Sequence, residues 1–541
     1  MCNLESPTVT TTHGDVRGLT ENDIAVWRGI PYAAPPVGER RWRAPQPLTA
    51  WQGVRDATAF SAASWQNAGF CRELAGGDPG AFSEDCLYLN VWAPATRETP
   101  LPVMVWLHGG GFTLGAGSLP PYDGQALARR GVVLVTINYR LGHLGFFAHP
   151  ALEGEDPAGP VYNFALLDQI AALRWVQDNI AAFGGDRDNV TLFGESAGAR
   201  SVLSLMASPL AKGLFHKAIV QSGYTLPDIP RRKALLNGAA LTRHLGLDNP
   251  TAADLRALPA DTFWPLTAPY VTGPAPIAGD IVLPEPMLET FFAARQHPMP
   301  VMVGSNSDEA SVLAYFGVNL EEQIRKLRRE RRFGLGLIRM LYPGVRGDRE
   351  LGRQVCRDMA FTTLGFVVMQ AQSRRGVPCW RYWFDYVAEG ERETFANGAW
   401  HGNEVPYVFD NLDQVEPLKN YATAADRAFA GQVADYWVNF ARHASAQSQA
   451  LDGPVRWLAC VRGRDRLLRI GLHKKAGWRL ENRFMRARLA LFKRVMRYHV
   501  TLDQGLKKQN PARGVGSWRC FPKENPAKPG HRELSSLKLW C

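Results

Sequence analysis

The chain has 541 residues, 46% hydrophobic and 21% charged, which suits a large packed core and excludes a disordered or collagenous chain. Its 8 cysteines are too few for a disulfide scaffold, and with no Cys-x-x-Cys or His-Glu-x-x-His spacing no metal site is expected. The net charge of +11 is a property of the end: residues 461–541 hold 21 Lys+Arg and 5 Asp+Glu, a balance of +16 that leaves −5 for the rest.

Met1 to Asp15 lacks a basic start followed by an apolar block, so no leader is read and the expected address is the cytoplasm. The longest run without charged residues, Thr99 to Tyr122, contains Pro100, Pro102, Pro120 and Pro121 and cannot serve as a membrane span. Within it, Val103 to Leu107 reads as a buried strand, as do Val132 to Asn138 and Val190 to Phe193. Phe164 to Ala182 has apolar residues at helical spacing, which predicts a helix between the last two strands and a parallel α/β sheet.

The loops after these strands carry the chemistry. Leu107 leads into His108-Gly109-Gly110-Gly111-Phe112, where bare backbone N–H groups can face a developing oxyanion. Gly110 and Gly111 are the expected donors, with Gly109 shaping the turn. Phe193 leads into Gly194-Glu195-Ser196-Ala197-Gly198 and then a helical pattern, the nucleophile elbow that exposes a Ser hydroxyl, with Ala197 N–H as the third donor. By itself the pentapeptide could be a helix-capping Ser in a Gly-rich chain; the Gly-rich loop beside it makes the hydrolytic reading stronger.

Residues 225–295 and 310–375 are Pro-punctuated and helix-rich, and read as insertions capping the sheet. Between them, the strand Pro300 to Val303 opens into Gly304-Ser305-Asn306-Ser307-Asp308-Glu309, where either Asp308 or Glu309 fits the acid from spacing. A strand at Trp380 to Tyr386 precedes the Gly-flanked loop Gly398 to Glu404. A serine nucleophile needs a His base that follows the acid in chain order, and His401 in that loop is better placed than His443, His473, His499 or His531.

With these motifs, Arg28-Gly29-Ile30-Pro31-Tyr32-Ala33, Ser83 to Asn90, Asn138-Tyr139-Arg140-Leu141-Gly142 and Phe183-Gly184-Gly185-Asp186, the chain resembles the type-B carboxylesterases from about Thr8 to about Ile470. The resemblance implies an α/β-hydrolase fold, a mostly parallel sheet flanked by helices with helical cap insertions, over residues 1–470. It implies Ser196 as nucleophile, Glu309 as acid and His401 as base, with Ser222 near the acid and Glu195 beside the nucleophile in supporting positions. It implies buried pairs of Arg41 with Glu84 and Arg140 with Asp168, a possible disulfide of Cys71 with Cys86, no cofactor, and a small ester of short to medium chain length as substrate. A lipase of long-chain esters and a non-catalytic binding member of the fold are the alternatives. The loop between Cys71 and Cys86 has Phe82 but no Trp or Tyr, which argues against a cholinesterase.

The resemblance leaves the oligomeric state open and does not extend to the end. Residues 471–500 are expected to form a basic amphipathic helix: from Leu480 to Val500 an apolar arc of Leu480, Phe484, Leu491, Phe492, Val495 and Met496 opposes Arg483, Arg486, Lys493, Arg494 and Arg497, with Arg488 an exception on the apolar side. The arc is expected to pack on the body, with contact to an anionic membrane surface as the alternative. Residues 501–541 are expected to be poorly ordered, and no nucleic-acid partner is expected because no reading motif accompanies the charge.

Overall fold

A computed structural model describes residues 6–74, 76–264, 274–314, 319–330, 332–461 and 464–509. The apolar runs form the middle of a ten-stranded sheet made of β1 (Leu19–Glu21), β2 (Ile24–Pro31), β3 (Tyr88–Pro94), β4 (Leu101–Leu107), β5 (Val133–Ile137), β6 (Gly185–Glu195), β7 (Lys217–Gln221), β8 (Val301–Asn306), β9 (Cys379–Tyr386) and β10 (Arg466–Asn482). The spatial order is β10-β9-β8-β7-β6-β4-β5-β3-β2-β1. The strands from β10 to β5 are mutually parallel, whereas β3, β2 and β1 pair antiparallel at the other edge.

Every residue of β5 is buried, and in β4 only the first is not. Helices cover both faces, so an unbroken apolar strand supplies two cores at once. Val103, Val105 and Leu107 enter one; Met104 and Trp106 enter the other. The helix α1 (Phe164–Asn179) crosses from β5 to β6, and α2 (Ala197–Ala207) follows β6 directly. The second insertion includes α3 (Asp348–Arg357), a π-helical turn at Asp358–Thr362 and α4 (Thr363–Arg375). Further on, α5 (Ala424–His443) starts at a reciprocal cap in which Thr423 and Asp426 exchange side-chain and backbone bonds.

The implied ion pairs are present. Arg41 grips Glu84 through Nε and Nη2, both at 2.6 Å, and Arg140 holds buried Asp168 through Nε, Nη2 and its own backbone N–H. The disulfide is not formed: Cys71 and Cys86 are free thiols, buried in the cores on opposite faces of the sheet.

The C-terminal segment departs from expectation. Residues 466–482 are strand β10, which pairs with β9 from Tyr382–Leu468 to Tyr386–Lys474, so the division expected at residue 470 falls inside the sheet. Trp478 and Leu480 pack against the core that includes α5, with Trp478 5.0 Å from the Phe429 ring, which is why Leu480 belongs to a strand and not to a helix. The helix α6 (Arg486–Gln509) begins only at Arg486 and runs into the segment expected to lack order; residues 510–541 lie outside the described residues. Of its apolar arc Phe492 and Met496 turn inward beside Leu489, each at most 2% exposed, so the helix packs on the body, while Leu491 and Val495 are only partly buried. Among the described residues no helix is long and apolar enough to cross a membrane.

Candidate active site

The elbow is built by steric necessity. Strand β6 ends at Glu195 and α2 begins at Ala197, leaving Ser196 at φ 53° and ψ −116°, a strained conformation for a residue with a side chain. A Cβ on Gly198 would stand 1.9 Å from the Leu107 carbonyl oxygen, and one on Gly194 would stand 2.6 Å from the same atom. Only glycines let the elbow press onto the end of β4. The Ser196 N–H donates to Gln221 O at 2.9 Å and ties the turn to β7.

The Gly-rich loop lies against this turn. Its base is fixed by His108, stacked on Tyr139 at 4.4 Å and kept neutral because burial lowers its pKa to about 4. Gly110 and Gly111 have φ of 101° and 61°, which point the peptide groups in directions other residues resist. Among the described residues, the N–H groups of Gly110, Gly111 and Ala197 donate to no protein acceptor. Gly109 does more than shape the turn: a Cβ there would come within 2.5 Å of Glu195 Oε2 and 3.3 Å of Ser196 Cβ.

The acid and base meet across the ends of β8 and β9. Glu309 Oε2 is 2.5 Å from His401 Nδ1, while its Oε1 accepts the Asn306 N–H at 2.6 Å. Asp308 turns away and pairs with Arg353 at 2.8 Å, which resolves the choice that spacing left open. The His401 N–H donates to Ser311 Oγ at 3.0 Å, and the ring's Nε2 faces the elbow, 3.2 Å from Glu195 Oε1. That last approach is electrostatic and not a directed hydrogen bond, since Glu195 Oε1 has no hydrogen-bond partner.

Three buried carboxylates surround one imidazole. Burial works against charge on His401, but the carboxylates of Glu195, Glu309 and Glu404 outweigh it and raise its pKa to about 9. Burial raises Glu195 to about 8 against the attraction of His401, and burial together with the Glu309 charge raises Glu404 to about 7. The site therefore holds more protons near neutrality than a lone imidazole would.

Glu404 escaped the sequence reading, although it lies three residues after His401 in the same loop. It accepts from Asn306 Nδ2 at 2.5 Å and Gln221 Nε2 at 3.3 Å, and Gln221 is itself held by Trp437 Nε1 at 2.9 Å. Phe361 also escaped it: the π-helical turn sets its ring 5.1 Å from His401 and 6.3 Å from Tyr224. Ser222, expected near the acid, makes no hydrogen bond to Glu309, and its Oγ is buried without a partner. Among the described residues no group of three or more His, Cys, Asp or Glu is arranged to hold a metal ion.

The family model described as carboxylesterase family matches residues 5–343 and 345–491, so the shared pattern continues past 470 through β10 and into α6. The chain is 38% identical over 450 residues to a fumonisin B1 esterase of Sphingopyxis macrogoltabida, an alignment covering 80% of this chain and 81% of the relative. It is 37% identical over 465 residues to a para-nitrobenzyl esterase of Bacillus subtilis, covering 83% and 92%. A solved PNB esterase superposes with a TM-score of 0.73 at 34% identity, covering 90% of this chain and 100% of that one. The chain thus belongs to the carboxylesterase family and has the α/β-hydrolase fold.

Proposed function

We propose that the protein hydrolyses short- to medium-chain carboxylic esters through an acyl-enzyme on Ser196. The observation that carries this reading is the 2.5 Å contact of Glu309 with His401 Nδ1, which fixes the tautomer that leaves Nε2 free to accept a proton on the side of the elbow. His401 takes the Ser196 proton as Oγ attacks the ester carbonyl. The N–H groups of Gly110, Gly111 and Ala197 stabilise the oxyanion, and His401 then protonates the departing alkoxide. Water repeats the sequence on the acyl-enzyme and releases the acid; Glu309 stays ionised throughout. The para-nitrobenzyl esterase among its relatives makes small benzylic esters natural first substrates for this chain, and Phe361 and Tyr224 offer such groups an aromatic wall.

The test is hydrolysis of p-nitrophenyl esters from acetate to palmitate by wild type and Ser196→Ala. An optimum at short or medium chains, with turnover reduced about 10⁴- to 10⁶-fold in the variant, is the expected result. An optimum at palmitate would move the substrate class to lipids, and near-normal turnover by Ser196→Ala would remove the nucleophile.

A further inference from the structure

Among the described residues, the positive charge toward the end of the chain does not surround the ester site. Part of it lines a separate cavity of about 290 Å³ between α4, α6 and the turn before β10. Arg374 comes from α4, Arg464 from the turn, and Arg486 and Lys493 from α6; Phe366 and Met369 supply an apolar wall. Among the described residues Asp465 is the one carboxylate lining the cavity, and it is paired with Arg381 at 2.5 Å, with both side chains at most 6% exposed.

Among the described residues four cations thus line a space whose one anion is paired with Arg381 through Oδ1, its Oδ2 being buried without a hydrogen-bond partner. Lys493 is half-buried and donates to Gln370 Oε1, a neutral acceptor, while burial and the charges of Arg374 and Arg497 hold its pKa below the usual lysine value. Arg374 uses Nη2 on the carbonyls of Phe292 at 2.7 Å and Phe291 at 3.1 Å, again neutral partners. Mutual repulsion at this density is relieved by an anion with oxygen atoms facing several directions, whereas a single carboxylate matches one guanidinium.

We propose that this cavity binds a phosphate group, free or esterified, with Phe366 and Met369 beside whatever the phosphate carries. Isothermal titration of the full chain with inorganic phosphate, at ionic strength held constant with chloride, tests it. Saturable binding is expected, weakened about tenfold or more by Lys493→Gln and by Arg486→Gln. Neither residue belongs to the ester site, so unchanged hydrolysis of a neutral p-nitrophenyl ester reports that each variant is folded; Arg374→Gln replaces one that is not. Sedimentation with phosphatidic acid vesicles, competed by free phosphate and lost in the same variants, would identify a lipid headgroup as the source. Phosphate binding without vesicle binding would identify a soluble one. Heat no larger than the chloride control, or variants that bind as wild type does, would overturn the proposal.

Discussion

Two buried acidic centres meet at the π-helical turn that carries Phe361, one around Asp358 at its start and one around His401 beside the Phe361 ring, and they are built on opposite principles. At Asp358 the carboxylate is saturated: it accepts from Tyr342 Oη at 2.7 Å, Arg357 Nε at 2.8 Å and Arg488 Nη1 at 3.4 Å, and Arg488 also donates to Leu341 O and stacks over the Tyr342 ring at 4.1 Å. Around His401 three carboxylates share one imidazole, and Glu195 Oε1 is left without a hydrogen bond. A centre with more cation than anion has no proton to move and serves to hold chain segments together. A centre short of positive charge keeps protons within reach near neutral pH, as acid–base chemistry requires.

The strongest way to break this contrast is to change one member of each centre. Glu309→Gln keeps the shape but removes the charge behind His401, and kcat should fall about 10³- to 10⁴-fold with little change in thermal stability. A kcat within tenfold of wild type would mean that another carboxylate orients the base. Asp358→Ala should do the reverse. Arg357 and Arg488 lose a shared buried partner, and urea denaturation should register a loss of about 3 to 5 kcal/mol. Because Phe361 sits on that turn, KM should rise more than kcat falls; an unchanged denaturation midpoint would reduce the cluster to ornament.

The same contrast explains what could be read from the chain. The elbow and the Gly-rich loop were legible because their chemistry demands glycines at fixed offsets: the clashes at Gly194, Gly198 and Gly109 are local consequences of a backbone that must approach another backbone. The strands β4, β5 and β6 were legible from unbroken apolar runs. The Asp358 centre was not, because Tyr342, Asp358 and Arg488 are brought together only by the packing of α6 on the second insertion. Arg488 looked misplaced on an apolar arc for the same reason; its partner lies 130 residues away. Strand β10 was missed because its exposed half reads Lys-Lys-Ala-Gly-Trp, without alternation, and only pairing with β9 and packing on α5 make it a strand. Spacing alone narrowed the acid to two adjacent residues, since Asp308 and Glu309 differ chiefly in their partners, and only the family resemblance pointed to Glu309.

The finer division of labour among the carboxylates is set by pH. His401 must be neutral to accept the Ser196 proton, so kcat/KM should rise with pH as the imidazolium gives up its proton. Carboxylates beside the ring stabilise the imidazolium and delay that loss. The Glu195 charge is the largest single one of these charge effects, so Glu195→Gln should lower the His401 pKa from about 9 and carry the rising arm of the pH profile toward acid. Glu404→Gln should move it the same way but less, since Glu404 is the weakest of the three influences on the ring. A pH–rate profile for each variant on one p-nitrophenyl ester decides the matter: an arm that stays in place, or moves toward alkali, would show that the charge on these carboxylates does not reach the base.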